Sequence, residues 1–429
     1  MYQNNKKSLP PTLVLAAACA WIHTALAAPL STSVDDEAQY RQGLYQRETG
    51  QPYTAIETLE TLLTGNPTLN RARLELAVAY YRTLNFTEAR AQAQKVLDDP
   101  QTPDAVRLSV LSFLKKLELE EAQTFGKPHK LDTNLSVGLL HDSNVNAGPD
   151  NAVLPGGFVL NPGATAQADW GYTAQGSLTH TWQYGAPVRL GEATGRLGWT
   201  SQAALFYRGY NRETDYNLGV LTLATGPTLI VGTSTRANLN GQLDALTLGG
   251  HDLALYSSLS PSISWRLGQS AELALDTQWV YRDFHRSEDA GRSSRYRALG
   301  LGFGDLYNQN RLAVQLGIRL FDENAHDSRY TNDGLEAFLS LRQRVWAGID
   351  LFARGAWRHS TYDGVEPLYG QARKEIERRI ELGASHQFQD GWLDKWALSG
   401  TVTHIHNDAN LSIYRYNRDL VQVTLGRSY

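Results

Sequence analysis

Two histidines separated by one residue, His404 and His406, have the type and spacing of a metal-binding pair. Alternate residues of a β-strand point to the same face, so the two imidazoles would lie side by side. A zinc site needs a third protein ligand, and none follows nearby in the sequence. Histidines that face a lumen or a membrane interface explain the pair better, and we expect neither a metal nor a cofactor.

The segment His141-Asp142-Ser143 contains the three residue types of a hydrolase triad. Neighbouring residues of a strand point to opposite faces, however, and the sequence has no G-x-S-x-G nucleophile elbow. We interpret the segment as a strand end, and the chain as a protein without enzymatic activity. A barrel hydrolase that uses His141 or Ser143 is the third alternative.

A stretch rich in charge runs from Arg373 to Glu381. Arg379 and Glu381 alternate with Ile380 and Leu382, so the charged pair would face a polar lumen and the apolar pair would face lipid. Further lumen charges are expected from Arg295, Arg297, Arg342, Arg344 and Asp305. A polar lumen must pair or solvate its charges, which explains most of these residues without a specific function.

The composition narrows the class of protein. The 429 residues suffice for two or three domains, and a formal net charge of -4 offers no basic excess for nucleic acid as a partner. A mean hydropathy of -0.38 is compatible with a membrane barrel, because its lumen-facing residues are polar. Ten Trp and 21 Tyr favour such a barrel, which places aromatic rings at both membrane interfaces.

Residues 1–27 have the order of a secretory signal peptide. Two lysines precede an apolar run from Leu13 to Ile22, and the small-residue site Ala25-Leu26-Ala27 follows. We predict cleavage after Ala27. Cys19, the one cysteine of the sequence, lies inside this segment and lacks the leucine three places upstream that a lipoprotein signal has. The mature chain would therefore have no thiol for disulfides, zinc sites or catalysis.

Residues 28–123 change to a helical period and contain a repeat. The segments Gly50–Ala55 and Leu84–Ala89 align, and Ala55 and Ala89 are 34 residues apart, which is the tetratricopeptide period. Small residues at these two positions would let paired helices cross closely. We predict a short tetratricopeptide-like α-solenoid that binds peptide or protein; an unrelated helical bundle is the alternative. The predicted helices are 35–49, 52–64, 70–83, 86–98 and 103–123.

After a linker at 124–130, residues 131–429 show strand alternation throughout. The last strand has apolar Val421, Val423, Leu425 and Tyr429 on alternate positions. We predict a transmembrane antiparallel β-barrel of about 14 strands, in which this last strand pairs with the strand that begins near Leu131. A soluble sandwich or propeller is disfavoured, because the strands are too many for one sandwich and no blade-length repeat is present.

The predicted connections alternate between short and long, and membrane barrels keep short turns in the periplasm. The helical domain, which precedes the first strand, would then lie in the periplasm and the barrel in the outer membrane.

These features together resemble the surface lipoprotein assembly modifier (Slam) family. The resemblance rests on the signal peptide, the short helical repeat, the Gly-x-x-x-Asp-Ser-Asn-x-Asn pattern and the charged strand Arg373–Glu381. The pattern comprises Gly138, Asp142, Ser143, Asn144 and Asn146. Many members have a longer helical domain than this chain.

The resemblance implies a type eleven secretion system translocon, which moves lipoproteins or soluble proteins to the cell surface or medium. Its partners would be a cargo protein held by the helical domain, outer-membrane lipid and the barrel-assembly machinery. Nothing in the sequence binds nucleotide, so cargo folding outside would give direction. The alternative function is a passive small-solute porin with an accessory periplasmic domain.

Overall fold

The computed structural model describes residues 34–125, 127–154, 157–346 and 348–429. The predicted signal peptide, its cleavage site after Ala27 and Cys19 lie outside the described residues. In the part of the chain that is described, no helix has the length and apolar composition needed to cross a membrane.

In the described part of the chain, five helices precede the strands, and their ends lie within two residues of the predicted ones. They are α1 (Val34–Glu48), α2 (Pro52–Gly65), α3 (Asn70–Arg82), α4 (Phe86–Leu97) and α5 (Asp104–Phe125). Pro52 stands at the first position of α2, where its missing N–H costs no helical hydrogen bond. Acidic residues in the first turn of α1 complement the positive helix end.

Close helix packing depends on small residues. Ala55 on α2 and Ala89 on α4 are both fully buried. A Cβ atom at Gly43 of α1 would lie 2.8 Å from the side chain of Leu59 on α2, so glycine sets the distance between these two helices. The small side chains let the helix backbones approach, and leucines fill the rest of the core.

The chain forms two compact units. One comprises the described residues up to Pro128 together with Gln183–Leu197; the other comprises His129–Trp182 and Gly198–Tyr429. The hairpin at 183–197 therefore groups with the helices, although it follows the second strand in sequence.

Fifteen strands follow the helices, and fourteen of them form a closed antiparallel barrel. They are β1 (His129–Asp142), β2 (Asp169–Gln183), the short β3 (Val188–Leu190), β4 (Ala193–Tyr210), β5 (Leu218–Val231), β6 (Thr235–Leu248), β7 (His251–Leu267), β8 (Ala271–Phe284), β9 (Ser294–Tyr307), β10 (Leu312–Ala325), β11 (Asn332–Trp346), β12 (Ile349–Glu366), β13 (Gln371–Gln387), β14 (Trp396–Ala409) and β15 (Tyr416–Ser428).

The barrel closes where the first strand meets the last. Strand β1 pairs with β15 from Asn134↔Ser428 to Asp142↔Leu420, and a β2–β4 pairing bypasses β3. The predicted fourteen-stranded closed barrel is confirmed. We call the β1–β15 pairing the seam.

Apolar side chains are prominent on the outer face of the barrel. Val137 and Leu139 of β1 are 60% and 67% exposed, and Val421 and Val423 of β15 are about half exposed. These side chains alternate with polar residues that point inward. A closed barrel leaves no unpaired strand edge, so this apolar surface is suited to a bilayer.

Candidate functional site

Connections of different length distinguish the two ends of the barrel. The end that carries the long β1–β2 connection (143–168) is called the loop end. The opposite end, which carries the short connections 232–234 and 268–270, is called the turn end.

Gly138 of the sequence pattern lies on the seam, where there is no room for a side chain. A Cβ atom there would lie 2.6 Å from Cγ2 of Thr424, 2.7 Å from the carbonyl oxygen of Val423 and 2.9 Å from Oγ1 of Thr173. Two of these neighbours belong to the last strand. Glycine at this position therefore leaves room on the inner face of the seam for the neighbouring side chains and backbone.

Asp142, at the loop end of β1, is fully buried and accepts hydrogen bonds from three other residues. The guanidinium of Arg418 on β15 donates from Nη2 at 2.5 Å and from Nε at 3.0 Å. The Tyr210 hydroxyl donates at 2.7 Å and the Asn144 backbone N–H at 3.0 Å. Because both carboxylate oxygens are used in a buried ion pair, Asp142 is not available to orient a catalytic histidine.

Ser143 and Asn144 also bind the last strand. The backbone N–H of Asp419 donates to the Ser143 hydroxyl at 2.8 Å, and the Ser143 backbone N–H donates to the Asp419 carbonyl at 2.9 Å. The Asn144 side-chain amide donates to the carbonyls of Asn417 and Gly148. The His141 ring packs instead against Trp170, which leaves no nucleophile–base pair in this segment.

Asn146 organises the first loop. Its side-chain amide donates to the carbonyl of Thr165 at 2.7 Å, and its oxygen accepts from the backbone N–H of Gln167 at 3.1 Å. All five residues of the pattern thus have a structural role: one permits close packing, three join the first strand to the last, and one folds the adjoining loop.

The buried side chains of the barrel strands are concentrated at the loop end. In the described part of the barrel strands, every buried non-glycine residue lies in the half nearest the loop end; among them are Leu140, Thr173, Tyr210, Phe284, Tyr296, Phe321, Glu323, Arg373, Ile405 and Asn407. Several inward positions near the turn end carry small residues: Ser260, Ser262, Ser264, Gly302, Gly304, Thr424 and Gly426. Buried side chains therefore fill the lumen at the loop end.

Alternating arginine and aromatic side chains line the loop-end half of the lumen. We call Tyr256, Arg282, Tyr296, Phe321 and Arg358 the arginine–aromatic band. The Arg282 guanidinium lies 5.7 Å from the Tyr256 ring centre and 4.8 Å from that of Tyr296. Tyr296 stacks on Phe321 at 5.9 Å, and Arg358 lies 4.4 Å above Phe321. Each arginine is thus held against a ring that faces the same lumen.

Carboxylates balance the charge of the band. Arg282 forms an ion pair with Glu323, and Arg358 forms one with Glu336 at 3.2 Å. Glu323 also accepts a hydrogen bond from the Ser294 hydroxyl at 2.6 Å. The band therefore presents fixed charges of both signs, and its side chains are held in place on several sides.

A second arginine cluster lies farther round the same end of the lumen. Arg373 of the predicted charged strand is 3.6 Å from the Tyr362 ring centre and 4.1 Å from that of Tyr414. It also forms an ion pair with Glu375 at 3.3 Å. As in the band, an arginine here packs against aromatic rings and pairs with a carboxylate, but the residues come from β12, β13 and a loop.

The structure places the other predicted lumen residues on two different faces. Arg379 and Glu381 share the inward face of β13 with Glu377, to which Arg379 is paired at 3.4 Å. Arg342 and Arg344 point into the lumen near the turn end, where both are paired with Asp350.

The prediction that Arg295, Arg297 and Asp305 face the lumen is wrong. These residues alternate with inward Tyr296 and Ala298, so they lie on the outer face of β9. They share that face with apolar residues, and the alternation of the strand fixes the side on which they lie.

His404 and His406 lie on the same face of β14, as the spacing predicted, and the structure shows that this is the outer face. His404 contacts Asp419 at 2.7 Å and His406 contacts Asn417 at 2.7 Å. Among the described residues, no group of three or more His, Cys, Asp or Glu side chains could hold a metal ion. The C-terminal positions Val421, Val423 and Leu425 also lie on the outer face.

Sequence reasoning missed one anchoring residue in the helical unit, Glu192 of the 183–197 hairpin. Its carboxylate accepts hydrogen bonds from the Thr54 hydroxyl at 2.7 Å and from the Tyr53 backbone N–H at 2.9 Å. Desolvation favours the neutral acid, but the hydrogen bonds from Thr54 and Tyr53 outweigh it and hold the pKa of Glu192 below its usual range. Glu192 thus supplies the acceptor that the N-terminus of α2 lacks locally.

No profile of a known protein family matches the chain, and no curated protein matches it. Solved structures to which it is similar include the outer membrane protein OprD from Pseudomonas aeruginosa, at 10% identity and a TM-score of 0.37, over 71% of this chain and 94% of that chain. OpdO from Pseudomonas aeruginosa is similar at 12% identity and a TM-score of 0.36, over 71% of this chain and 97% of that chain. OccAB4 from Acinetobacter baumannii is similar at 10% identity and a TM-score of 0.34, over 70% and 98%. Similarity at this level carries no conclusion about function.

Proposed function

We propose that this chain forms a channel for small solutes in the outer membrane. The observation that supports the proposal is the loop-end half of the lumen, which is lined by the arginine–aromatic band and other buried side chains of the barrel strands. A path bounded by paired, fixed side chains discriminates solutes by size and polarity and does not admit a folded protein.

The mixed charge of the band suggests which solutes would pass. Arg282 and Arg358 supply hydrogen-bond donors, and Glu323 and Glu336 supply acceptors on the same inner face. Small polar solutes can replace part of their hydration by these groups, whereas apolar solutes cannot.

Conductance in planar bilayers tests this function. The purified full chain should give steady, small, uniform conductance steps, and the addition of permeating polar solutes should reduce the ion current. Bilayers that stay silent although the refolded barrel has inserted would contradict the proposal.

A second candidate function is protein export, as the Slam resemblance implies. The observation that favours it is the helical unit, in which Ala55 and Ala89 are 34 residues apart and equally buried. This arrangement supports a tetratricopeptide-like solenoid, and such solenoids bind peptides or proteins in their concave face. Cargo would then be held by the helical unit, and the band would have to rearrange for it to pass.

Gene deletion separates the two functions. For a translocon, surface exposure of a specific lipoprotein or secretion of a soluble cargo should fall when the gene is removed, as measured by protease shaving of intact cells. Complementation with a chain that lacks residues 34–123 is the matched control. If every candidate cargo stays exposed while solute uptake falls, the channel function is retained and export is rejected.

We also propose that the loop end faces the medium and that the helical unit lies in the periplasm. A cysteine introduced at Ser328, in a loop-end connection, should react with a membrane-impermeant maleimide on intact cells. A cysteine at Gln269, in a turn-end connection, should react after the outer membrane is opened. The reverse result would invert the orientation.

A further inference from the structure

Two arginines lie on the outside of the barrel, where lipid is expected. Arg295 and Arg297 are exposed on the outer face of β9, immediately above the apolar residues Leu299 and Leu301 of the same face. Because side chains of a strand alternate between its two faces, both arginine side chains point away from the lumen. An arginine in contact with hydrocarbon is costly, so the level of these two residues relative to the bilayer matters.

The register of the neighbouring strand fixes that level. Arg295 lies opposite Tyr281 and Arg297 lies opposite Trp279, both on β8. The two aromatic side chains are exposed on the same outer face. Outward Trp and Tyr side chains mark the membrane interface in barrels, so the two guanidiniums lie at the height of the lipid headgroups at the loop end.

The other end of β9 supports this placement. Asp305 is the next charged residue on the outer face, eight positions after Arg297. At about 3.3 Å per residue and a tilt of about 40°, this separation corresponds to roughly 20 Å along the membrane normal, close to the apolar band of about 25 Å in barrels. The charges on this face therefore bracket one hydrocarbon layer.

Neither guanidinium has a protein counter-ion among the described residues. Arg295 lies opposite Asn324 and Arg297 opposite Asp322 on β10, and no ion pair forms with either arginine. Both arginines line one polar surface pocket of about 340 Å³, together with Asn324 and His326. The pocket is thus lined by two guanidiniums without an ion pair, by further hydrogen-bonding side chains and by one carboxylate, that of Asp322.

We propose that Arg295 and Arg297 bind the phosphate group of a phosphorylated glycolipid in the outer leaflet. Guanidinium forks match phosphate oxygens in pairs, and two forks on alternate positions of one strand can engage one headgroup. The acyl chains of that lipid would lie along Leu299 and Leu301, which continue the same face toward the hydrocarbon. The inference rests on the proposed outer-membrane placement with the loop end outside.

Removal of the Asp322 charge should have opposite effects on the binding of an anion and of a cation. Its carboxylate stands opposite Arg297 and would repel a phosphate, so removal of its charge should tighten binding. A site for a cation would respond in the opposite direction. Asp322→Asn therefore distinguishes anion recognition from a mixed surface patch.

The experiment measures binding of diphosphoryl lipid A to the full chain, folded in detergent, by native mass spectrometry. Dephosphorylated lipid A and free inorganic phosphate are the comparison probes. We expect at least tenfold tighter binding of the diphosphoryl form than of the dephosphorylated form. Arg295→Gln/Arg297→Gln should abolish that preference, and Asp322→Asn should increase it.

The control is Arg427→Gln, which removes an arginine from the outer face of β15 at the turn end. It should keep the phosphate preference. The proposal is overturned if the double variant keeps the preference, if both lipid forms bind equally, or if millimolar inorganic phosphate displaces the lipid. If the double variant loses the preference for diphosphoryl lipid A and still conducts normally, the channel function is unaffected. If the chain does not insert in the outer membrane, the proposed function itself is contradicted.

Discussion

The Asp142 carboxylate, at the end of the first barrel strand, is paired with the Arg418 guanidinium of the last strand at 2.5 Å. Asp142 is fully buried, and 17% of the Arg418 side chain is exposed. The Tyr210 hydroxyl shares the carboxylate and adds a contact to β4. Because the two partners lie on the first and last strands, this pair can form only when the barrel closes in this register.

Asp142→Asn should destabilise the barrel, because it leaves the Arg418 charge largely buried without a counter-ion. Loss of one partner of a buried pair costs about 3 kcal/mol or more. The measurement is the urea midpoint of unfolding in lipid vesicles, which should fall. An unchanged midpoint would show that the pair does not hold the seam.

A double variant separates charge from packing. In Asp142→Asn/Arg418→Met, no uncompensated charge remains, so a large part of the lost stability should return. If the double variant is less stable than Asp142→Asn alone, the contacts of Arg418 with Tyr210 matter more than its charge.

Gly138→Ala should weaken the seam by overpacking. The added methyl would lie 2.7 Å from the backbone oxygen of Val423, which cannot rotate away, and such clashes cost about 1–3 kcal/mol. Gly400→Ala on β14 is the matched control, because a Cβ there has no neighbour within 4 Å. The heat-dependent shift of the folded barrel on gels should move to lower temperature for Gly138→Ala and stay in place for Gly400→Ala.

Phe321→Ala should widen the constriction of the proposed channel. The change removes the ring that stacks on Tyr296 and supports Arg358, so single-channel conductance should rise by about twofold or more and become noisier. Ser264→Ala, on an inward position near the turn end, should leave conductance unchanged. Equal conductance in both variants would place the narrowest part of the path elsewhere.

The Glu192 contact with α2 should depend on pH. Its pKa in the folded chain lies below the ordinary glutamate value, so its contribution is present above that value and is lost as the pH falls through the folded-state pKa. Hydrogen exchange at the amides of Tyr53 and Thr54 should be protected at pH 7, relative to Glu192→Gln, by about 1 kcal/mol. The wild-type chain and the Glu192→Gln variant should exchange alike once the pH is below the folded-state pKa. A difference that persists down to the lowest pH at which both remain folded would rule out the carboxylate as the cause.

The outward position of Arg295 and Arg297 was determined by local sequence, although charge alone suggested the lumen. Both residues alternate with Tyr296 and share a face with Leu299, and period-2 alternation leaves no freedom about the side on which they lie. Their membrane level, in contrast, came from the cross-strand neighbours Trp279 and Tyr281, which are not adjacent in sequence.

The sequence by itself predicted the five helices and the fourteen barrel strands, because alternation and helical periodicity are properties of short segments. It also predicted that the last strand pairs with the first, because an array of strands is left without unpaired edges only when it closes. It also singled out the pattern from Gly138 to Asn146, but not its role. Only the tertiary structure decided that Asp142 meets Arg418, 276 residues away, and that single side chains from neighbouring strands form one arginine–aromatic band. The physical reason is that barrel closure and strand stagger set which residues share a level of the lumen, and that register is a property of the whole sheet.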